Sequence, residues 1–298
     1  MYRIATLNLQ NFACPPYAWY DWEAIYSAEQ WQMKTQWLQR LWQQAHTDVL
    51  ALQEVFSVEA LQRLCAQAGL DYLLSAGQPT MVDQHIFTAP VVALASRYPL
   101  TELTLPSVDQ AWLTQLQLSG FKDSREPLLA RLQLPGIGDI DICVVHLKSR
   151  RPDKQLSGPL ARVKSEQQRL LEAAILWQRL ALHHAQAARP LLLCGDFNDE
   201  LSSPLLQPLL ALDASLRLQD AAHLVDGSIR PPTHYYGAHG KVLDYLLCSQ
   251  EFDPRYHHAV AEVVGYQVFD EHLVRPQYAL HGHSSDHALV QLIVQPRR

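Results

Sequence analysis

Leu191-Leu192-Leu193-Cys194-Gly195-Asp196-Phe197-Asn198-Asp199 changes character over nine residues. Four apolar residues follow Pro190, and a glycine, two carboxylates and an amide come after them. The apolar run has the length of a strand and is too short for a helix, so it reads as a buried strand ending in a polar rim. Gly195 would let the backbone pass close to a ligand. At that rim Asp196 could accept a proton or orient a water, and the Asn198 amide could donate to an oxygen as charge builds on it. An ordinary strand-to-turn junction uses the same residue types, so the segment takes its meaning from its company.

Outward from this strand the chain alternates. A long amphipathic stretch over residues 160–188 ends before Pro190, as helices do. Residues 128–133 and 140–147 flank Pro135-Gly136-Ile137-Gly138-Asp139 and read as a hairpin. Further strands are expected at 243–248 and 288–294. Toward the amino terminus, residues 3–9 read as a strand and an aromatic loop covers 17–26. Ser27 and Gln30 have capping-box spacing ahead of a helix carrying Trp31, Lys34, Leu38, Leu41, Trp42 and Ala45 at helical intervals. Lys34 is expected to lay its stem along that face with its charge in water. A strand at 49–53, a second helix stopped by Gly69, and strands at 91–96 and 100–105 complete the pattern. No repeat, low-complexity tract or linker separates two cores. The sequence predicts one α/β domain over residues 1–298.

The 24 basic and 30 acidic residues leave a net charge of -6. A protein that held nucleic acid mainly by neutralising its phosphates would be basic, so any phosphate must be held locally. The first residues show no signal-peptide pattern and no stretch suits a bilayer span, which makes the cytoplasm the expected compartment. Five widely spaced cysteines form no CxxC pair, and Cys65, Cys143, Cys194 and Cys248 lie in apolar segments as reduced core residues. Nothing points to a protein partner, and a monomer is expected.

Polar residues recur where the strands end. Asn8 closes the first strand, Glu54 the second, and His146 the return strand of the hairpin, while Asp286 and His287 precede the last strand. Ligands of α/β proteins collect at such edges. Glu54 is the best candidate for a metal ligand, and oxygen donors suit Mg²⁺ or Mn²⁺ rather than Zn²⁺. His287 could protonate a leaving oxygen, activate water, or stabilise a charged centre as an imidazolium, and an imidazolium needs a carboxylate to orient it. Asp244 is a charge inside an apolar strand, which is costly unless paired. It either partners His287, pairs with Lys241, or caps a loop. Lys148, Arg150, Arg151 and Lys154 form a phosphate-holding rim or a solvated loop. His183, His184, His257, His258, His281 and His283 lack ligand spacing and read as surface or loop residues, with His283 set apart by its position near Asp286.

Thr6-Leu7-Asn8, Leu52-Gln53-Glu54, His146-Leu147-Lys148-Ser149, Gly195-Asp196-Phe197-Asn198, Asp244-Tyr245 and Ser285-Asp286-His287 together resemble the endonuclease/exonuclease/phosphatase superfamily, in the family's order. The resemblance implies a four-layer α/β/β/α sandwich, with two mainly antiparallel or mixed sheets face to face and helices outside. It also implies Glu54 as the main ligand of Mg²⁺ or Mn²⁺, with Asn8 and Asp286 helping to bind the metal or its waters. By the same resemblance His287 pairs with Asp244, and Asp196, Asn198 and His146 complete a phosphate site. Ser124-Arg125-Glu126-Pro127-Leu128 looks like the arginine-containing strand entry of several relatives, which makes Arg125, with Lys148, a candidate phosphate ligand.

The activity so implied is in-line attack by water on a phosphate ester. The segment around Asp244 lacks the Trp-Cys-Asp-Arg pattern of inositol polyphosphate phosphatases, and Val55-Phe56 stands where apurinic-site enzymes have Thr-Lys. The pattern is more like bacterial nucleases and phosphodiesterases, with nucleic acid among the candidate substrates. A phosphomonoesterase or a sphingomyelinase-like lipid phosphodiesterase is the alternative on the same scaffold. A silent binding protein is the alternative of another class, and the full set of polar residues argues against it. The aromatic loop 17–26 could stack bases, touch lipid or cover the core's edge.

Overall fold

The computed structural model describes residues 1–115, 117–118, 120–151, 158–211 and 215–297. Four strands of the first third enter one sheet: β1 (Tyr2–Phe12), β2 (Val49–Val55), β3 (Tyr72–Ser75) and β4 (Val91–Ser96). Six more build a second: β5 (Leu100–Leu103), β6 (Leu128–Leu134), β7 (Gly138–His146), β8 (Leu191–Asp196), β9 (Leu218–Asp220) and β10 (Asp244–Ser249). The chain then returns to the first sheet with β11 (Ala261–Phe269) and β12 (Leu289–Pro296). The strand orders are β11-β12-β1-β2-β4-β3 and β9-β10-β8-β7-β6-β5.

Each sheet carries one parallel pair at its middle, β1 with β2 and β7 with β8, and every other pairing within the two sheets is antiparallel. Parallel neighbours need a long crossover, and a helix supplies each one. The helix α1 (Ala28–Ala45) joins β1 to β2. After α2 (Val58–Gln67), the long α3 (Gly158–Gln186) joins β7 to β8. Ser27 and Gln30 close the capping box at the start of α1, each side chain accepting from the other's backbone N–H.

Alternation along the strands sorts their side chains into layers. Ile142, Leu192, Cys194 and Leu246 meet Ile4, Ala51, Leu94 and Val290 between the sheets. Leu7, Leu50 and Leu52 face Trp37, Leu38 and Leu41 of α1 on one outer side. Cys143, Val145 and Leu193 face Ala173, Leu176 and Leu180 of α3 on the other. β8 is buried along its whole length, and apolar from Leu191 to Cys194, because both its faces are covered, which is the four-layer sandwich the resemblance implied.

Three strands escape a reading by pattern. β3 and β11 are edge strands with exposed and polar positions, and β9 has only three residues. Ala18–Trp19, inside the aromatic loop, pairs with Ile86–Ala89, itself hydrogen-bonded to Thr80–Val82. The five cysteines are free and four of them are buried. Among the described residues no helix is long and apolar enough to cross a membrane.

Two expectations from the sequence need correction. His184 is buried against Glu251, and His183 lies 2.8 Å from the buried Asp141, because both stand on the part of α3 that packs over the second sheet. The ammonium of Lys34 is not in water. The whole residue is fully buried, and its Nζ has no hydrogen-bond partner.

Candidate active site

The sheet registers bring three of the polar residues side by side. His146 on β7 is the register partner of Asp196 on β8, and Asp196 is the partner of Asp244 on β10. Directly opposed residues project from the same face of a sheet, so these three side chains form one row. Asn8 and Glu54 come to it from the other sheet, Glu54 near the end of β2 and Asn8 within β1. β1 does not close at Asn8, as the sequence suggested, but shifts its register there and runs on to Phe12. Asp286 and His287 come from the turn before β12.

Asp196 is the centre of the row. Its Oδ2 accepts from Asn8 Nδ2 at 3.0 Å and from Asn198 Nδ2 at 3.3 Å. His146 Nε2 lies 3.4 Å from the same oxygen and His287 Nε2 3.9 Å. Its Oδ1 accepts from the Asn198 backbone N–H at 2.8 Å. Burial, helped by the Asp244 charge, pushes the Asp196 carboxyl up to about 6 against the pull of His287. Burial, reinforced by the nearby cations Arg125, His287 and Lys148, holds His146 well below its usual range, so it is a neutral imidazole. His287 goes the other way. Burial alone would lower it, but the carboxylates of Asp244 and Asp196 raise it well above the ordinary histidine value.

The fully buried Asp244 receives His287 Nδ1 at 2.8 Å and the Thr233 hydroxyl at 2.6 Å, both on Oδ2. Lys241 is engaged elsewhere, 3.2 Å from Glu200. Thr233 Oγ1 in turn accepts from the backbone N–H groups of Leu243 and Asp244. Ser285 donates to the Asn8 carbonyl at 2.6 Å and accepts from the His287 N–H, tying β1 at Asn8 to the histidine. Sequence reasoning assigned no role to Thr233 or Ser285. The only signal for Thr233 was the need of a buried carboxylate for a second donor.

Glu54 has a left-handed backbone, with φ of 58°, at the point where β2 ends. Such a conformation costs a non-glycine residue on the order of 1 kcal/mol and persists where the surroundings impose it. Here the Asn11 N–H donates to its Oε2 at 2.8 Å and Asn8 Nδ2 reaches its Oε1 at 3.4 Å. Asn8 Oδ1 accepts from the Gln10 N–H, so its amide nitrogen faces the two carboxylates. Asp286, whose side chain is 43% exposed, lies 3.7 Å from His234 Nε2. The charges of Glu54 and Asp286 both act on Tyr26 and Lys34, and as oxygen donors the two carboxylates suit a hard divalent cation.

Arg125 donates to the backbone carbonyls of His146 and Leu147, at 3.4 and 3.1 Å, and engages the Tyr20 hydroxyl. Lys148 stands close enough for its charge to act on His146. Arg150 is drawn off to Asp199 and the Asn198 carbonyl, and Lys154 lies outside the described residues. Gly195 serves a different purpose from the ligand approach that the sequence suggested. A Cβ at this position would meet the Val145 carbonyl oxygen, so the glycine permits contact between strands.

Lys34 sits behind the carboxylates with its Nζ 5.5 Å from the centre of the Tyr26 ring. Burial lowers it to about 8, against the opposing pull of Asp286 and Glu54. A lysine held below its unfolded value disfavours the folded state by an amount that is full below the folded pKa and vanishes above the unfolded one. The shift corresponds to on the order of 3 kcal/mol. Lys34→Met is therefore expected to raise the melting temperature of metal-free protein by roughly 5 °C at pH 7, with the gain fading as pH rises from about 8 to above 10. Thermal melts across that range check it, and a variant less stable at pH 7 contradicts it.

Comparison with known proteins classifies the chain. A model of the endonuclease/exonuclease/phosphatase family matches residues 5–287. No curated protein matches the chain. Among solved structures, the catalytic domain of human Nocturnin is similar at a TM-score of 0.65 and 19% identity, over 99% of this chain and 94% of that one. An AP endonuclease from Archaeoglobus fulgidus is similar at 0.60 and 14%, over 98% and 99%. A family protein from Leptotrichia buccalis C-1013-b is similar at 0.59 and 15%, over 99% and 100%. At these identities the structures speak for the fold alone. Members of the family are phosphoesterases and nucleases and generally use divalent metals. The match over nearly the whole length settles the classification: this chain belongs to the endonuclease/exonuclease/phosphatase family.

Proposed function

We propose that the chain hydrolyses phosphodiesters with the help of Mg²⁺ or Mn²⁺, as a phosphodiesterase or nuclease, by in-line attack of water on phosphorus. The observation that carries the reading is the meeting of opposite charges over one oxygen. An elevated, buried carboxyl, Asp196, has the raised imidazole of His287 3.9 Å away. A base must be deprotonated at working pH and still basic, and a value near 6 suits that.

In this reading Asp196 orients the attacking water and takes its proton, while Asn8 and Asn198 hold its carboxylate in place. His287, fixed through Nδ1 by Asp244, turns Nε2 toward the same space and donates to the phosphoryl oxygen as negative charge builds. Meanwhile the ester P–O bond opposite the incoming water breaks, and the departing alkoxide takes its proton from solvent. Neutral His146 adds a donor without adding charge. Arg125 and Lys148 hold the non-reacting phosphate oxygens. Glu54 and Asp286 would hold the cation, which when bound polarises the phosphoryl group. The human Nocturnin structure contains a bound sulfate, an anion with the shape of phosphate, on a similar fold.

The test is hydrolysis of bis-p-nitrophenyl phosphate and of p-nitrophenyl phosphate with Mg²⁺ or Mn²⁺, before and after chelator. The diester is expected to be turned over at least about tenfold faster than the monoester, and chelator is expected to abolish it. Glu54→Gln is expected to lose about 10³-fold in rate and to weaken Mg²⁺ binding measured by calorimetry. Turnover indifferent to chelator and to this substitution would remove the metal from the mechanism. Preference for the monoester would make the chain a phosphatase. Single-stranded and duplex DNA, RNA, an inositol phosphate and sphingomyelin then resolve the substrate.

A further inference from the structure

One residue beside the site has no part in this mechanism. His234 opens the short hairpin of His234–Tyr236 with His239–Lys241 and is 8% exposed. Its backbone forms an isolated bridge with His287, which sets the two imidazoles side by side with centroids 4.7 Å apart. Tyr236 covers its ring at 4.5 Å. Its Nε2 points to Asp286 Oδ2 at 3.7 Å. One ligand atom from each of His234, Asp286 and His287 lies within 4.8 Å of the other two.

The distance and the donor types point to a cation. A gap of 3.7 Å is too long for a hydrogen bond. It suits two atoms bound to one ion at about 2.1 Å each on a wide angle. Two imidazole nitrogens and one carboxylate oxygen match Zn²⁺, whereas Mg²⁺ seeks oxygen and water. The arrangement behind His287 matches as well. Asp244 takes its Nδ1 at 2.8 Å, which leaves Nε2 to ligate once a bound ion displaces its proton, in the carboxylate–histidine–metal pattern of zinc ligands.

We propose that His234, Asp286 and His287 form a zinc-type site overlapping the phosphoesterase centre, and that Zn²⁺ bound there silences hydrolysis. Silencing follows because the ion takes His287 Nε2 from the phosphate and Asp286 from the Mg²⁺ or Mn²⁺ site. This second half rests on the proposed function, while the binding half does not.

Calorimetric titration of metal-free protein with ZnCl₂ in the presence of millimolar MgCl₂ tests the site directly. Wild type is expected to bind one Zn²⁺ at low micromolar concentration or tighter through His234. His234→Ala is expected to lose that binding event by at least about 30-fold, and His234→Cys, which restores a zinc ligand, to keep it. Glu54→Gln is expected to leave Zn²⁺ affinity within about threefold. Unchanged Zn²⁺ binding in His234→Ala, or equal loss in Glu54→Gln, would overturn the site. Thermal melts of each variant show whether it is folded, and loss of binding in a folded His234→Cys also counts against the site. With a diester substrate, micromolar Zn²⁺ should inhibit wild type and spare His234→Ala. Zinc bound through His234 with hydrolysis undiminished would overturn the silencing. A protein without hydrolytic activity would defeat the proposed function, and the titration would still decide the site.

Discussion

His287→Ala is expected to lower kcat for diester hydrolysis by about 10³-fold or more, with KM changed far less. A charged donor aimed at the developing oxyanion contributes on the order of 10² to 10³ in rate, and the variant also takes from Asp196 the positive charge that favours its ionised form. The pH profile should show why. Asp196 must be deprotonated to act, and burial sets it at about 6, so activity should fall tenfold per unit as pH drops below that point. His287 must be protonated, and the carboxylates of Asp244 and Asp196 hold it well above the ordinary histidine range, so the alkaline limb should lie above neutrality. Asp244→Asn removes the larger of these supports and should move the alkaline limb toward neutral pH. Steady-state profiles of wild type, His287→Ala and Asp244→Asn settle the assignment. An acid limb that moves with Asp244→Asn while the alkaline limb stays would reverse the roles of base and donor.

Gly195→Ala should abolish folding or nearly so. The Cβ would sit 1.9 Å from the Val145 carbonyl oxygen and 2.9 Å from its carbon, both backbone atoms in the neighbouring parallel strand. The glycine also has a φ of +144°, a region that side chains avoid. Neither atom can swing aside, because Val145 lies within the β7–β8 ladder between two packed layers. Overpacking of a dense interior costs 1–3 kcal/mol where side chains can yield, and here the backbone would have to yield. The loss should exceed about 4 kcal/mol, a large share of the stability of an ordinary domain. Denaturant titration or failure to obtain soluble protein would show it. A denaturant midpoint within about 0.3 M of wild type would mean that the two strands separate without penalty.

Some of this was legible in the residues alone. The apolar run at 191–194 reads as a strand because both its faces are covered, and a strand covered on both faces carries no alternation to be misread. Ser27 and Gln30 announce the start of α1 because a capping box is made within four residues of chain. Asp244 announces a partner because a carboxylate inside an apolar strand is untenable without one. The edge strands β3, β9 and β11 were silent for the opposite reason. Their pairing is supplied by a neighbour, and their own side chains are short-patterned or half in water.

The opening strand shows where the division falls. Local sequence determined that residues 191–194 are buried and that Asp196 and Asn198 stand at the end of the run. Those are consequences of composition and spacing, which act over a few residues. Only the tertiary structure decided that Gly195 faces Val145 rather than a ligand, and that Lys34 is sealed behind Glu54 and Asp286. It also decided that Thr233 and His287 share one oxygen of Asp244, and that His234 stands beside Asp286. Each of these depends on the register between strands or the stacking of two sheets, where residues far apart in the chain meet at distances that no local pattern encodes.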